Sequence, residues 1–303
     1  MPAPLYLLTG PTAVGKSALA LAWAQAHDAE LLSCDALQVY CGLDIGTAKP
    51  TPDERKIVPH HGLDLSDPAQ PYSVAAYSEY AVKAVAEIQS RGKNILIVGG
   101  SGFYLKSFFA AITDDVDITP AIETEVRALE TKGLPFLLER LHAASPSGTG
   151  TIDLRNPRRV ARALARCLAS GKSVAQLAAE FAVKKSPFDA FDKKLIRLER
   201  SPEELKQRIH ARTQKMLNDG LIDEVRHHAT ALRANPAGTA IGYRETLAWM
   251  DSGEKTSLAE LANEISLHTR QLVRKQHTWF RTQLPEHKVV EIAVYNIESD
   301  VIF

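Results

Sequence analysis

The sequence predicts an α/β fold, a parallel sheet flanked by helices, with an all-helical insertion. Three observations carry that expectation. An apolar run at Leu5 to Leu8 leads into a glycine-rich loop and then an Ala-rich helical stretch, the opening of a βα unit. Short, almost wholly apolar runs recur at Ala29 to Cys34, Asn94 to Val98 and Lys194 to Leu198, the composition of strands buried on both faces. From about Thr113 the chain turns polar and helical, with no strand of its own until residue 194.

Taken in order, strand 5–8 is followed by the loop and a helix over Ala18 to Ala26, then strand 29–34 ending on Asp35. Gly42 to Pro71, rich in Gly, Pro, Asp and His, reads as a long ordered loop. Val74, Tyr77, Ala81, Ala84, Val85 and Ile88 have helical spacing, and Gly92 follows as a stop, so a helix is predicted over Ser73 to Arg91. After strand 94–98 come Gly99-Gly100-Ser101-Gly102 and a helix over Phe103 to Ala111. Helices are expected over 120–133, 135–144 and 157–170, then a returning strand, a helix over 202–218, further helical sequence, and a last strand over Lys288 to Tyr295. The expected division is a core of residues 1–112 plus 190–303, carrying C-terminal RNA-binding helices, and an insertion over 113–189.

Composition is that of an ordinary globular protein: 303 residues, 45% hydrophobic and 24% charged. No basic leader, long apolar stretch or cleavage site precedes the first strand, and three scattered cysteines, Cys34, Cys41 and Cys167, suit a reducing compartment. A cytoplasmic protein with no membrane association is expected. Lys plus Arg balances Asp plus Glu at 36 each, so overall charge gives no sign of a polyanionic partner. The distribution does. Arg155 to Arg166 holds five arginines and no acid, and on a helix Arg155, Arg158, Arg159, Arg162 and Arg166 share an arc of roughly 100°, opposite Val160, Leu164 and Leu168. Arg270, Arg274, His277 and Arg281 cluster within about 60°, opposite Ile265, Leu272 and Trp279. A solvated basic face is the plain reading of one such stripe; two suit an RNA backbone. Trp279 and Phe280 fall on the core side. His60 and His61 lack a third metal ligand and read as loop structure or substrate positioning.

Gly10-Pro11-Thr12-Ala13-Val14-Gly15-Lys16-Ser17 is a phosphate-binding loop, which makes the fold P-loop, nucleotide-kinase-like. Its curled backbone aims N–H groups at phosphate oxygens, Lys16 neutralises their charge, and Ser17 is the candidate Mg²⁺ ligand. The motif resembles an ATP site, yet the strand ending at Val98 runs into Gly99-Gly100-Ser101 and supplies no Asp for a nucleotide's metal. The cargo can therefore be a diphosphate that leaves. Asp35, at the same sheet edge, is placed to act as general base, metal ligand or helix cap, with general base favoured. Ser101 meets that edge as an active group or a turn residue. Arg208 and Arg212, one helical turn apart, can reach the diphosphate or lie on the surface; Arg212 is preferred.

The ordered motifs Gly10 to Ser17, Ser33 to Tyr40, Gly42 to Pro50, Val98 to Leu105, Ala240 to Glu245 and Thr269 to Arg281 resemble the tRNA dimethylallyltransferase (tRNA isopentenyltransferase) family of bacterial type, along nearly the whole chain. The resemblance implies transfer of a dimethylallyl group from dimethylallyl diphosphate to N6 of adenosine 37 in the tRNA anticodon stem-loop, with Mg²⁺. It implies Asp35 as general base and Ser101 near the reacting centre. It also implies tRNA contacts at Asp35, Ala36, Leu37, Gln38, Arg127, Arg158, Arg159, Val160, Ala161, Arg162, Gly242, Tyr243, Arg244, Arg274, Lys275, Gln276 and Arg281. Two positions depart from the usual pattern: Ala36 stands where the family has Ser, and Ser101 where it has Thr. Competing readings are an adenylate isopentenyltransferase acting on free AMP, ADP or ATP, a small-molecule kinase, and a nucleotide-switched RNA-binding module. No amphipathic seam demands a protein partner, so a monomer is expected.

Overall fold

The computed structural model describes residues 4–292. Two units divide the chain: Met1–Phe109 with Pro187–Phe303, and Ala110–Ser186.

The first unit is built on β1 (Leu5–Thr9), β2 (Ala29–Ser33), β3 (His60–His61), β4 (Asn94–Val98), β5 (Lys193–Glu199) and β6 (Lys288–Glu291). They form one sheet in the order β3-β2-β4-β1-β5-β6, every pairing parallel. Register sets Leu5 against Ile95 and Leu8 against Val98, with Ala29 against Asn94. Residues alternate between two apolar layers, as strand geometry dictates. Leu5, Leu7, Leu32, Ile95 and Ile97 pack with Tyr77, Ile88, Phe108 and Phe280; Leu8, Leu31, Leu96, Ile196 and Leu198 pack with Leu19, Trp23, Leu205 and Ile209.

The helices of this unit are α1 (Lys16–Ala26), α2 (Pro52–Ile57), α3 (Val74–Ser90), α4 (Gly102–Lys106), and, after the second unit, α9 (Pro202–Asn218), α10 (Leu221–Ala234), α11 (Tyr243–Asp251) and α12 (Leu258–Gln283). α2 and β3 interrupt what the sequence presents as one loop over 42–71. The signal for α2 was there: Thr51 and Glu54 form a capping box, with Pro52 in the first turn. α4 is shorter than the expected 103–111, because the chain turns at Ser107, whose hydroxyl bonds the Tyr104 carbonyl at 2.7 Å. The last predicted strand begins at Lys288, and its expected end, residues 293–295, lies outside the described residues.

The second unit comprises α5 (Pro120–Lys132), α6 (Leu134–Ala144), α7 (Pro157–Ser170) and α8 (Val174–Ala182) around a core of Val126, Leu137, Leu141, Val160 and Leu164. α8 stands outside the helices expected from the sequence, although Ser173 and Gln176 form its capping box. No described helix is long and apolar enough to cross a membrane.

Candidate active site

Adjacent strands β2, β4 and β1 deliver Asp35, the Gly99–Ser101 turn and the phosphate loop to one edge of the sheet. This is the edge at which open α/β sheets bind ligands. The approach is close: a Cβ on Gly99 would lie 2.0 Å from the Cys34 carbonyl oxygen, so only glycine fits between the ends of β2 and β4. A cavity of about 1100 Å³ opens there, lined among others by Thr12, Lys16, Asp35, Ser101, Arg212 and Gln276.

The loop curls through positive φ at Gly10 (147°), Ala13 (67°) and Gly15 (111°). Its outward carbonyls are taken by two arginines: Arg208 Nε donates to Ala13 O at 2.7 Å and Arg200 Nε to Val14 O at 2.7 Å. Lys16 Nζ donates to the carbonyls of Gly10 and Pro11 at 2.8 and 2.9 Å. Burial, aided by the nearby Arg212 guanidinium and opposed by Asp35, lowers the Lys16 ammonium to about 8. Arg212 is itself lowered by burial and supported by Asp35. Two cations and one carboxylate thus share a confined space. Arg212 and Arg208 both line the cavity; Arg208 also braces the loop.

Asp35 Oδ1 accepts the Leu37 N–H at 2.9 Å in a local turn that fixes the carboxylate at the rim. Ser101 Oγ accepts the Ala36 N–H at 3.0 Å, so the backbone of Ala36, whatever its side chain, orients the serine hydroxyl. That bond occupies an acceptor lone pair and leaves the Ser101 O–H as a donor.

Other predicted contacts find different surroundings. Gln38 spends its amide inside the protein: Oε1 accepts from Ser33 Oγ at 2.7 Å and Nε2 donates to Thr47 O and Ala48 O at 3.4 and 3.3 Å. Gln276 is a clasp, its Oε1 accepting the Thr12 N–H at 2.9 Å and its Nε2 donating to Gly100 O at 3.2 Å. Nothing in the sequence marks this bridge. Tyr243 is fully buried, its hydroxyl bonded to Glu224 at 2.8 Å, and Arg244 is ion-paired with the buried Glu245. Val160 and Ala161 are buried in the helical unit's core, so their side chains are closed to RNA; the helical phase that exposes Arg158, Arg159 and Arg162 turns them inward. Those three arginines, exposed on α7, make no ion pair among the described residues, whereas Arg155 pairs with Asp153 and Arg166 with Asp114. Arg127, Arg274, Lys275 and Arg281 are exposed.

Phe280 is buried, but Trp279 is only half-buried: its ring covers Gly102, where a Cβ would lie 2.6 Å away, and lines the cavity. His60 and His61 form edge strand β3, with His61 Nε2 at 2.6 Å from Glu30, whose carboxyl is held low chiefly by its hydrogen bonds to Arg91. Among the described residues no three His, Cys, Asp or Glu side chains converge as a metal site. Of the groups that could serve a hard cation, the exposed Ser17 hydroxyl stands at the cavity wall with Asp35.

Fold and site together define a P-loop α/β protein of the NTPase-like kind, with a helical insertion and a carboxylate facing the phosphate loop. A family model described as IPP transferase matches residues 38–283. The chain belongs to that family of transferases. It is 50% identical over 292 residues to a tRNA dimethylallyltransferase of Opitutus terrae, covering 96% of this chain and 94% of that one. A Bacillus subtilis protein of the same name is 35% identical, covering 93% of this chain and 88% of its own. The crystal structure of the full-length tRNA isopentenylpyrophosphate transferase from Bacillus halodurans superposes with a TM-score of 0.70 at 29% identity, covering 98% of this chain and 92% of that one.

Proposed function

We propose that the protein transfers the dimethylallyl group of dimethylallyl diphosphate to the exocyclic N6 of adenosine 37 in tRNA. The observation that carries this reading is the meeting of Asp35, Ser101, Lys16 and Arg212 at one cavity whose β4 edge offers glycines and a serine instead of a metal-binding carboxylate. The kinship to proteins named for this reaction supports it.

The amine nitrogen forms the new C–N bond at the allylic carbon as the C–O bond to diphosphate breaks. An exocyclic adenine amine is a weak nucleophile, so its proton must leave as that bond forms; Asp35 takes it. The negative charge gathering on the diphosphate is met by Lys16, Arg212 and the inward N–H groups of the phosphate loop. Ser17 would hold Mg²⁺, which when bound would supply charge neutralisation at the leaving group. Adenosine 37 must leave its stack to reach the sheet edge. The exposed Arg127, Arg158, Arg159, Arg162, Arg274, Lys275 and Arg281 supply phosphate contacts.

Labelled dimethylallyl diphosphate incubated with Mg²⁺ and either an anticodon stem-loop or free AMP tests the reading. Label in the stem-loop alone is expected; label in AMP alone would establish the adenylate reaction instead.

A further inference from the structure

Glu224, on α10, takes no part in the chemistry above. Its carboxylate nevertheless accepts four hydrogen bonds: Oε2 from Asp44 N–H at 2.8 Å and Ile45 N–H at 2.7 Å, Oε1 from Gly46 N–H at 3.0 Å and Tyr243 O–H at 2.8 Å. Three successive amides converging on one anion form a nest, occupied here by the chain's own carboxylate. Tyr243 closes the other side: a Cβ on Gly46 would lie 2.5 Å from its ring. Burial and the Glu224 charge push the Tyr243 phenol far up, which keeps it a donor.

The nested segment continues into the cavity wall. Gly46, Thr47, Ala48, Lys49 and Pro50 line the cavity alongside Asp35 to Gln38. Lys49 is anchored beneath them by Asp44 at 2.6 Å, Asp64 at 2.7 Å and the Tyr40 carbonyl at 2.8 Å. The Thr47 and Ala48 carbonyls hold the Gln38 amide, which in turn accepts from Ser33 at the end of β2, two residues before Asp35. One chain of bonds therefore runs from Glu224 through the nested loop to the strand that carries the candidate base. The phosphate loop, following β1, receives none of these bonds.

We propose that Glu224 is a positioning residue for the acceptor nucleoside, fixing the 44–50 wall against which the base is presented to Asp35 while leaving the diphosphate half of the site untouched. This rests on the prenyl transfer proposed above.

Glu224→Gln keeps size and shape but turns an NH₂ toward the donors it faces, so at least one nest bond is lost. Full-length protein of each kind is compared by hydrogen exchange at residues 44–46 and by steady-state transfer to the stem-loop. Expected are exchange about tenfold faster at those amides and a KM for RNA about tenfold higher, with KM for dimethylallyl diphosphate within about twofold and the melting temperature little changed. A merely structural residue would move both KM values together. Unchanged exchange, unchanged KM for RNA, or equal rises in both KM values would overturn the proposal. If Glu224→Gln fails to fold, Tyr243→Phe, which removes one donor from the nest, carries the same measurements, with changes of about threefold in the same pattern. Absence of transfer by the unaltered protein would refute the proposed reaction, whereas the exchange measurement would still decide whether the nest is held by Glu224.

Discussion

The two walls of the cavity are held in different ways. The phosphate loop shapes itself: its curl comes from left-handed backbone at Gly10, Ala13 and Gly15 within six residues, and remote arginines only brace the carbonyls it turns outward. The wall opposite, residues 35–50, has local bonds of its own, Lys49 with Asp44 and the Tyr40 carbonyl and Gln38 with the Thr47 and Ala48 carbonyls, and adds a remote anchor in Glu224, some 180 residues away in the chain. A wall set by local backbone geometry suits a ligand of constant shape such as a diphosphate; a wall that also leans on a distant side chain can be retuned there without disturbing the first.

That contrast can be broken most forcefully at Lys16. Lys16→Ala should lower kcat/KM for the diphosphate substrate by at least about 100-fold while stem-loop binding, read by filter or fluorescence titration, stays near that of the parent. Comparable loss of RNA binding would mean that the walls are not separable. A second break uses pH. With its ammonium lowered to about 8, Lys16 is charged below that value and neutral above it, and diphosphate requires the charged form. Binding of inorganic pyrophosphate should therefore weaken about tenfold between pH 7 and pH 9, and Lys16→Arg should flatten that limb. The same lowering means that the unfolded chain holds the proton more tightly, so Lys16 detracts from stability at neutral pH, by an amount that shrinks as pH rises above about 8 and vanishes only above the ordinary lysine value of 10.5.

Gln276 sharpens the comparison, because it ties the phosphate loop to the Gly99–Ser101 turn. Gln276→Ala removes two hydrogen bonds, together about 2 kcal/mol, and should raise KM for dimethylallyl diphosphate several-fold more than KM for RNA. The smallest effect belongs to the helical unit. Arg158→Ala should weaken stem-loop binding about threefold and reduce the slope of log affinity against log salt by about one, with diphosphate binding unchanged.

The same contrast governs what the sequence discloses. The phosphate loop is legible because its function lies in consecutive residues between an apolar strand and a helix. The sheet is legible because strands buried on both faces read as apolar runs. The Gln276 clasp and the Glu224 nest are not, since their partners stand 264 and about 180 residues away and Gln and Glu on helices look like surface residues. Between these extremes lie features with a local signature in the sequence. Capping boxes at Thr51 and Ser173 mark α2 and α8. The helical phase that gathers the α7 arginines also consigns Val160 and Ala161 to the core. Gln38 and Tyr243 fall in motifs that suggest contact with RNA, yet only coordinates reveal that their polar atoms are already engaged by Ser33, Thr47 and Glu224.

Asp35 is proposed to act in chemistry and not in assembly of the site. Single-turnover prenyl transfer by Asp35→Asn, measured beside equilibrium binding of dimethylallyl diphosphate and of the stem-loop, tests this most directly. Expected is a rate at least about 100-fold lower with both affinities largely retained. A rate within a few-fold of the parent, or a loss of RNA binding equal to the loss of rate, would contradict it.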